Sequence, residues 1–385
     1  MRIAVIGAGI TGVTSAYYLS KKGLKVDLIE SRRYPGMATS YANGGQLSAS
    51  NSEAWNNWKN IITGVKSVII KKNSSVIINP YPSLDKLRWF FSFMNNISKN
   101  EKITYDICKM AVESVKLYYQ IAKDEQIKFN LYNKGILHFY YNKIQTEHAI
   151  NTNKIYKKAG LNRIRITHDD LYKIEPALRG KKFNSIFFTK SDKSGDIHKF
   201  CNGLINKLIS DNKVNLINKE ILDLKEEKEK YDKIIICAGV RSSKLAKTVG
   251  DKLHIYPVKG YSITVNNPGI ASPRVSLLDD EKKIVCSRLG ENRLRVAGIA
   301  EFNGYNLDIL QNRIRPLVNW CINMFPKINS NDIKPWAGLR PMTPNMLPIV
   351  KKSKKADIWY NTGHGHLGWT LSAYTAKNLV SNIFK

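Results

Sequence analysis

Cysteine is scarce in this chain and badly placed for cross-linking. The five residues, Cys108, Cys201, Cys237, Cys286 and Cys321, stand far apart and include no C-x-x-C pair. That set argues against a disulfide framework or a thiolate zinc site, fits a reducing compartment, and leaves no metal expected. No stretch of about 18 uncharged apolar residues occurs, so a membrane-spanning helix is not indicated. Internal repeats and low-complexity segments are absent as well. Acidic residues are outnumbered, with 31 Asp and Glu against 61 Lys and Arg and a formal net charge of +30. Such an excess attracts anions, whether nucleic acid, acidic lipid or charged substrate. The lysines are nevertheless spread over the whole length with no basic arm or block, which favours a compositional bias over nucleic-acid binding. No nucleic-acid partner is therefore expected, although a basic nucleic-acid- or membrane-surface-binding protein stays as the non-enzyme alternative.

The first thirty residues carry the strongest pattern. An apolar run, Ile3 to Ile6, leads into Gly7-Ala8-Gly9-Ile10-Thr11-Gly12, then a helical stretch, a Lys-Lys-Gly turn and a second apolar run that ends on Glu30. Strand, G-x-G-x-x-G, helix, strand and terminal acid in that order predict a βαβ unit that binds an adenine dinucleotide. Gly7 permits the turn, Gly9 lets a pyrophosphate approach the backbone, Gly12 allows close helix packing, and Glu30 can accept from ribose hydroxyls. The helix N-terminus adds free N–H groups and partial positive charge. The same glycines and the missing cleavage site argue against reading Arg2 and its apolar sequel as a secretory leader. This stretch alone leaves FAD and NAD both open.

Residues 31–47 favour a flavin. Ser31 and Arg32 are followed by a long run of small residues, Ser40-Tyr41-Ala42-Asn43-Gly44-Gly45-Gln46-Leu47, where backbone must lie close to something flat or charged. Residues 53–127 read as mostly helical, and Leu87 to Phe91 suits a buried helix face better than insertion into a membrane interface. Strands are expected at Leu131–Tyr140, Lys213–Ile217, around Glu220–Leu224, and at Lys233–Ile236, the last leaving through Ala238-Gly239 back to the dinucleotide site. Leu253 to Phe302 reads as β throughout, with separate strands at His254–Val258 and Tyr261–Thr264. A helix over Ile309–Met324, a strand at Ile358–Asn361, a Gly363–Gly368 turn and a helix from Thr370 close the chain.

Several stretches then resemble one family across nearly the full length. Ser40 to Gln46, Tyr256-Pro257-Val258-Lys259-Gly260-Tyr261-Ser262, Trp336-Ala337-Gly338-Leu339-Arg340-Pro341 and Gly363-His364-Gly365-His366-Leu367-Gly368-Trp369-Thr370 look like the small subunit of bacterial FAD-dependent D-amino acid dehydrogenases. That family falls within the D-amino acid oxidase and glycine oxidase group of flavoproteins. The sequence departs from it in being somewhat shorter, at Gly44 where alanine is expected, and at His366 where a small polar residue is expected.

The resemblance implies FAD, held noncovalently because no cysteine stands near the Gly-Leu-Arg-Pro segment, and oxidation of the C–N bond of a D-amino acid. It implies electron transfer to a quinone or the respiratory chain instead of oxygen. A glycine-, sarcosine- or hydroxyproline-oxidising relative is the nearest alternative. Together with the basic charge, the quinone points to a cytoplasmic protein that contacts the inner face of a membrane peripherally. The expected fold is α/β, α+β overall: a discontinuous Rossmann-like FAD-binding domain (1–80, 168–250 and 326–385) and a mainly antiparallel β substrate domain (81–167 and 251–325).

The implied roles follow the chemistry. Arg340 is expected to grip the substrate carboxylate with two parallel hydrogen bonds, Tyr261 to add its hydroxyl, and His366 to line the pocket. The cofactor is expected against Gly7 to Gly12, Glu30, Ser31, Arg32, Ser40, Ala42, Asn43, Gly44, Gln46, Leu47, Ile221, Ala238, Gly239 and Gly338. The turn from Gly363 through His364, Gly365, Leu367, Gly368 and Trp369 to Thr370 should complete its site, with the last helix aiming positive potential at the ring.

Overall fold

In the computed structural model, residues 1–69 and 75–385 are described. The opening apolar run forms the strand Ile3–Ile6, buried at every position, and is followed by the helix Ile10–Ser20 and the strand Val26–Glu30. Burial on both faces explains why Ile3–Ile6 shows no alternation, since helices cover each side of a parallel sheet. The sheet runs Ile349–Lys352, Ile358–Thr362, Lys233–Ile236, Ile3–Ile6, Val26–Glu30, Val214–Asn218. All its neighbours pair in parallel except the edge strand Ile349–Lys352. Chain order reverses between Ile3–Ile6 and Lys233–Ile236, which creates the crevice at the strands' carboxyl ends where ligands bind in such sheets. The closing helix Gly368–Ile383 packs on both Ile10–Ser20 and the long helix Asn100–Asp124.

A second, nine-stranded sheet lies beyond. Its order is Ile333–Met342, Tyr256–Asn266, Arg293–Phe302, Ile284–Arg288, Ser276–Asp279, Ile136–Tyr140, Ser185–Thr189, Ile164–Ile166, with Val76–Ile78 also pairing with Arg293–Phe302. Tyr256–Asn266 is one strand of 11 residues instead of the two short ones expected, because it pairs along its length with Ile333–Met342. The helix Gln311–Met324 covers this sheet, and Leu317, Trp320 and Cys321 enter its core. Each fully buried apolar side chain of this kind stabilises the fold by roughly 1.5–3 kcal/mol.

Three features differ from expectation. Val76–Ile78, Ser185–Thr189 and Ile333–Met342 fall in ranges assigned to the dinucleotide-binding domain, yet all are strands of the second sheet. Their partners are far away in sequence, and local pattern carries no information about that. No strand forms at Glu220–Leu224. Val214–Asn218 is the sheet edge there, and Ile221 and Leu224 anchor the segment in the core without pairing. Finally, Trp89 and Phe93 are buried as expected, whereas Leu84, Leu87 and Phe91 on the same helix are exposed.

Candidate active site

A cavity of about 720 Å³ runs from the first glycine turn to the second sheet. That volume suits a cofactor with a small substrate. At one end the glycines do what their spacing requires. Gly7 adopts φ +100°, and a Cβ on it would lie 2.7 Å from the Cys237 carbonyl oxygen. A Cβ on Gly12 would lie 1.8 Å from the Gly7 oxygen, so that glycine holds helix against strand and does not itself line the cavity. The Ile10 N–H donates to Ser40 Oγ at 3.1 Å, and no side chain caps the helix at Gly9. Glu30 folds back on the turn: Oε2 accepts from the Ala8 N–H at 2.8 Å and Oε1 from the Arg32 N–H at 3.0 Å. Gly9, Thr11, Glu30, Ser31, Arg32, Ile221, Ala238 and Gly239 line this end, while Ala8 and Leu47 are buried behind it.

The second sheet fastens the small-residue loop in the middle of the cavity. Ser262 Oγ donates to the Ala42 carbonyl at 2.8 Å, Arg295 Nη1 to the Asn43 carbonyl at 3.0 Å, and Gln46 Nε2 to the Leu277 carbonyl at 3.0 Å. Ser40, Ala42, Asn43, Gly44 and Gln46 all face the cavity, as does Gly338. Arg295 went unrecognised in the sequence, where one arginine in a β-rich stretch gives no signal. Burial lowers its pKa to about 10.

The Gly363–Thr370 turn closes the other side and lines the cavity through all of its residues. Thr370 Oγ1 accepts from the Ser48 N–H at 3.2 Å. His364 Nε2 lies 2.8 Å from Thr375 Oγ1, and burial lowers its pKa to about 3. Gln46 Oε1 and Trp369 Nε1 are buried with no hydrogen-bond partner. Orphaned polar atoms in a glycine-lined cradle are what a flavin ring with polar edges would satisfy, so the residues fit FAD.

At the far end Arg340 stands in the cavity wall. Its Nη1 donates to the Ile299 carbonyl at 2.7 Å and Nη2 to the Gly298 carbonyl at 3.4 Å. Among the described residues no Asp or Glu pairs with it, and burial lowers its pKa to about 10. Gly260 makes room for it, since a Cβ there would lie 2.4 Å from the guanidinium carbon. Tyr261 lines the cavity, but its hydroxyl donates to Glu301 Oε2 at 2.5 Å and is engaged there instead of being open to a ligand. Glu301 in turn pairs with the fully buried Lys259 at 3.0 Å. His366 stacks on Trp55 at a centroid distance of 4.5 Å, and its ring nitrogens are buried with no side-chain partner. Desolvation, and after it the charge of Arg340, lowers the His366 pKa to about 3, leaving a neutral imidazole. Trp55, Asp280 and Lys283 also line this end. None was legible as a site residue, because each lies in a segment with no motif.

A parallel sheet offering a dinucleotide cradle at its switch point, closed by an antiparallel sheet that brings to the same cavity an arginine with no acidic partner among the described residues, defines a dinucleotide-dependent oxidoreductase of two-sheet design. The chain belongs to the family described as DAO, FAD dependent oxidoreductase, whose pattern matches residues 2–381, and it is accordingly an FAD-binding flavoprotein. It is 45% identical to "D-amino acid dehydrogenase 3" of Mesorhizobium japonicum, over 99% of this chain and 96% of that one. It is 32% identical to the D-amino acid dehydrogenase of Dechloromonas aromatica, over 100% and 97%. Among solved structures, glycine oxidase from Geobacillus kaustophilus shares the fold with a TM-score of 0.76 at 17% identity, covering 99% of this chain and 94% of the other. No described helix is long and apolar enough to cross a membrane, and no described cluster could hold a metal ion.

Proposed function

We propose that the chain oxidises D-amino acids at the C–N bond, with noncovalent FAD as the immediate acceptor and a quinone or other respiratory carrier, not oxygen, taking the electrons onward. The observation that carries this reading is Arg340, a guanidinium that hydrogen-bonds carbonyls and meets no acid among the described residues. A substrate carboxylate would supply the missing anion through two parallel hydrogen bonds. The name shared by the relatives supports the D configuration.

In this reading the parallel-sheet unit holds the cofactor and the antiparallel sheet presents the amino acid. Gly7 to Thr11, Glu30 and Ala238-Gly239 hold the adenosine diphosphate half, and Ser40–Gln46 with Gly363–Thr370 hold the ring half. Bound FAD supplies a two-electron acceptor for the hydride that leaves Cα. Arg340 fixes the carboxylate, and Trp55 with His366 forms a wall that excludes water. The helix starting at Gly368 adds positive potential near the ring. His366, neutral and with its pKa lowered to about 3, orients the substrate and is too weak a base to deprotonate it.

Contact with an acidic membrane surface belongs to the same proposal. Trp58, Ile62 and Val65 on one helix and Leu84, Leu87 and Phe91 on another are exposed, with Lys59, Lys66 and Arg88 in the same two helices, an arrangement suited to an interfacial surface. Flotation with acidic liposomes should weaken as salt rises, because salt screens the attraction.

The enzymatic reading is tested by assaying D-, L- and N-methyl amino acids and glycine with an artificial dye acceptor while oxygen uptake is followed in parallel. Dye reduction by D-amino acids with little oxygen uptake is expected. In Arg340→Ala the flavin spectrum should persist while KM rises by a hundredfold or more, the cost of losing a buried charge pair. Wild-type KM in that variant would refute the assignment.

A further inference from the structure

Four residues from four separated segments form an unbroken hydrogen-bonded line beside the cavity. Asp192 Oδ2 lies 2.5 Å from Ser50 Oγ, Ser50 Oγ lies 2.7 Å from His138 Nε2, and His138 Nδ1 lies 3.0 Å from Asp280 Oδ2. Asp192, Ser50 and His138 are each at most 2% exposed. Asp280 alone reaches the cavity wall, where its side chain is 24% exposed. His138 sits on the strand Ile136–Tyr140, and Asp280 follows the neighbouring parallel strand Ser276–Asp279. Ser50 comes from the turn Ala49–Asn51 and Asp192 from the turn before Lys193–Ser194.

The order Ser50, His138, Asp280 is that of a hydrolytic triad, but the geometry around it serves a different purpose. Ser50 is buried away from any substrate, and its hydroxyl also meets a second carboxylate, Asp192. Every link can therefore exist in two senses. In one, Asp280 O–H donates to Nδ1, Nε2–H donates to Ser50, and Ser50 O–H donates to Asp192. In the other, all three hydrogen bonds are reversed and the proton resides on Asp192. The two states differ by a concerted shift of three protons and carry the same total charge.

We propose that Asp280, His138, Ser50 and Asp192 form a proton relay that draws the substrate's amine proton out of the cavity and stores it on Asp192. The inference rests on the amino acid reading above. An amino acid arrives as its ammonium form, and one N–H bond must break before the nitrogen lone pair can form C=N as the hydride leaves. That proton goes to Asp280, whose O–H bond forms as N–H breaks, and the three-proton shift then delivers it to Asp192. No oxidant or co-reactant is consumed in the relay, and the reverse shift returns the proton when product departs. Lys283 beside Asp280 favours movement of positive charge away from the cavity.

The surroundings are consistent with inward transfer. Burial opposes the charge on Asp280, but His138, Lys283 and the Tyr140 hydroxyl favour it, so Asp280 passes a proton on instead of keeping it. Burial raises the Asp192 pKa even though Ser50, the Ala49 N–H and, at 3.0 Å, Ser48 Oγ all donate to it. Arg163, which donates to the Tyr140 hydroxyl, Glu53, Lys193 and Cys108 are the other titratable groups around the line.

The test compares Ser50→Ala, Ser50→Thr and Asp280→Asn in the FAD-loaded enzyme, with proton NMR of His138 in the apoprotein as a readout independent of turnover. Low-field imidazole proton signals should be present in wild type and altered in Ser50→Ala. In Ser50→Ala, kcat/KM should fall on the order of a hundredfold at neutral pH, the lower range for general acid–base catalysis, and recover at high pH where the amine arrives already neutral. Ser50→Thr, which keeps a hydroxyl, should restore the profile, and Asp280→Asn at the rim should reproduce the defect with the core intact. A lower melting temperature with an unchanged pH profile and solvent isotope effect in Ser50→Ala and Asp280→Asn would overturn the relay and leave a structural bridge. Failure of wild type on every D-amino acid would instead remove the substrate reading.

Discussion

The two ends of the cavity are built on opposite principles. At the glycine-turn end, Gly7 to Gly12 and Glu30 come from one continuous βαβ unit, and the wall offers backbone N–H groups and one carboxylate at the carboxyl end of its strand. At the far end, Trp55, Gly260, Asp280, Arg340 and His366 converge from separate segments, and the wall offers ionisable side chains, with Arg340 and His366 among them desolvated. A local site tolerates little change in backbone spacing. A convergent site tolerates little change in charge or in the room around a charge.

Adding one methyl group at each end sharpens this contrast most. Gly12→Ala places a Cβ 1.8 Å from the Gly7 oxygen, where rigid backbone cannot yield, so FAD binding should be lost and the purified protein should be colourless. Gly260→Ala places its Cβ 2.4 Å from the Arg340 guanidinium, which is mobile enough to move aside. That variant should stay yellow while KM for the amino acid rises by tens to hundreds of fold, since small misplacements of positioning groups are costly. A colourless Gly260→Ala with normal folding would break the comparison.

Smaller effects follow from the charges. Glu30→Gln should weaken FAD by about 1.5–3 kcal/mol, the usual worth of a hydrogen bond to a charged group, as read by fluorescence titration, with substrate KM unchanged. The smallest effect is on acid stability. The pKa values of His364 and His366 are lowered to about 3 by burial, below the unfolded value of about 6.5. Between those limits the unfolded chain binds more protons, so stability is fully present above about 6.5 and is lost as pH falls toward 3. The melting temperature of the apoprotein should drop across that window, and less steeply in His364→Gln.

The same contrast sets what could be read from the sequence. The first βαβ unit, the return through Ala238-Gly239 and the Gly363–Thr370 turn were legible because their spacing encodes their geometry. Arg340 was legible through resemblance alone. The membership of Ser185–Thr189 and Ile333–Met342 in the second sheet was not legible, because it depends on pairing with strands remote in the chain. Trp55, Asp280, Lys283 and Arg295 were hidden for a related reason: burial and long-range contact give each its role, and neither is visible in neighbouring residues. Tyr261 was expected to offer its hydroxyl, but Glu301 on the adjacent strand already accepts from it.

The strand Ile333–Met342 has a consequence in time as well as space. It forms the edge of the large sheet, carries Arg340, and is followed by Ile358–Thr362 and the helix Gly368–Ile383, which complete the parallel sheet and its cradle. As the chain leaves the ribosome, the large sheet waits for this strand and the parallel sheet for Ile349–Lys352 and Ile358–Thr362 just after it. The cavity should therefore assemble last, so that a nascent chain cut short before it would have neither a finished glycine-lined cradle nor the arginine of the cavity wall.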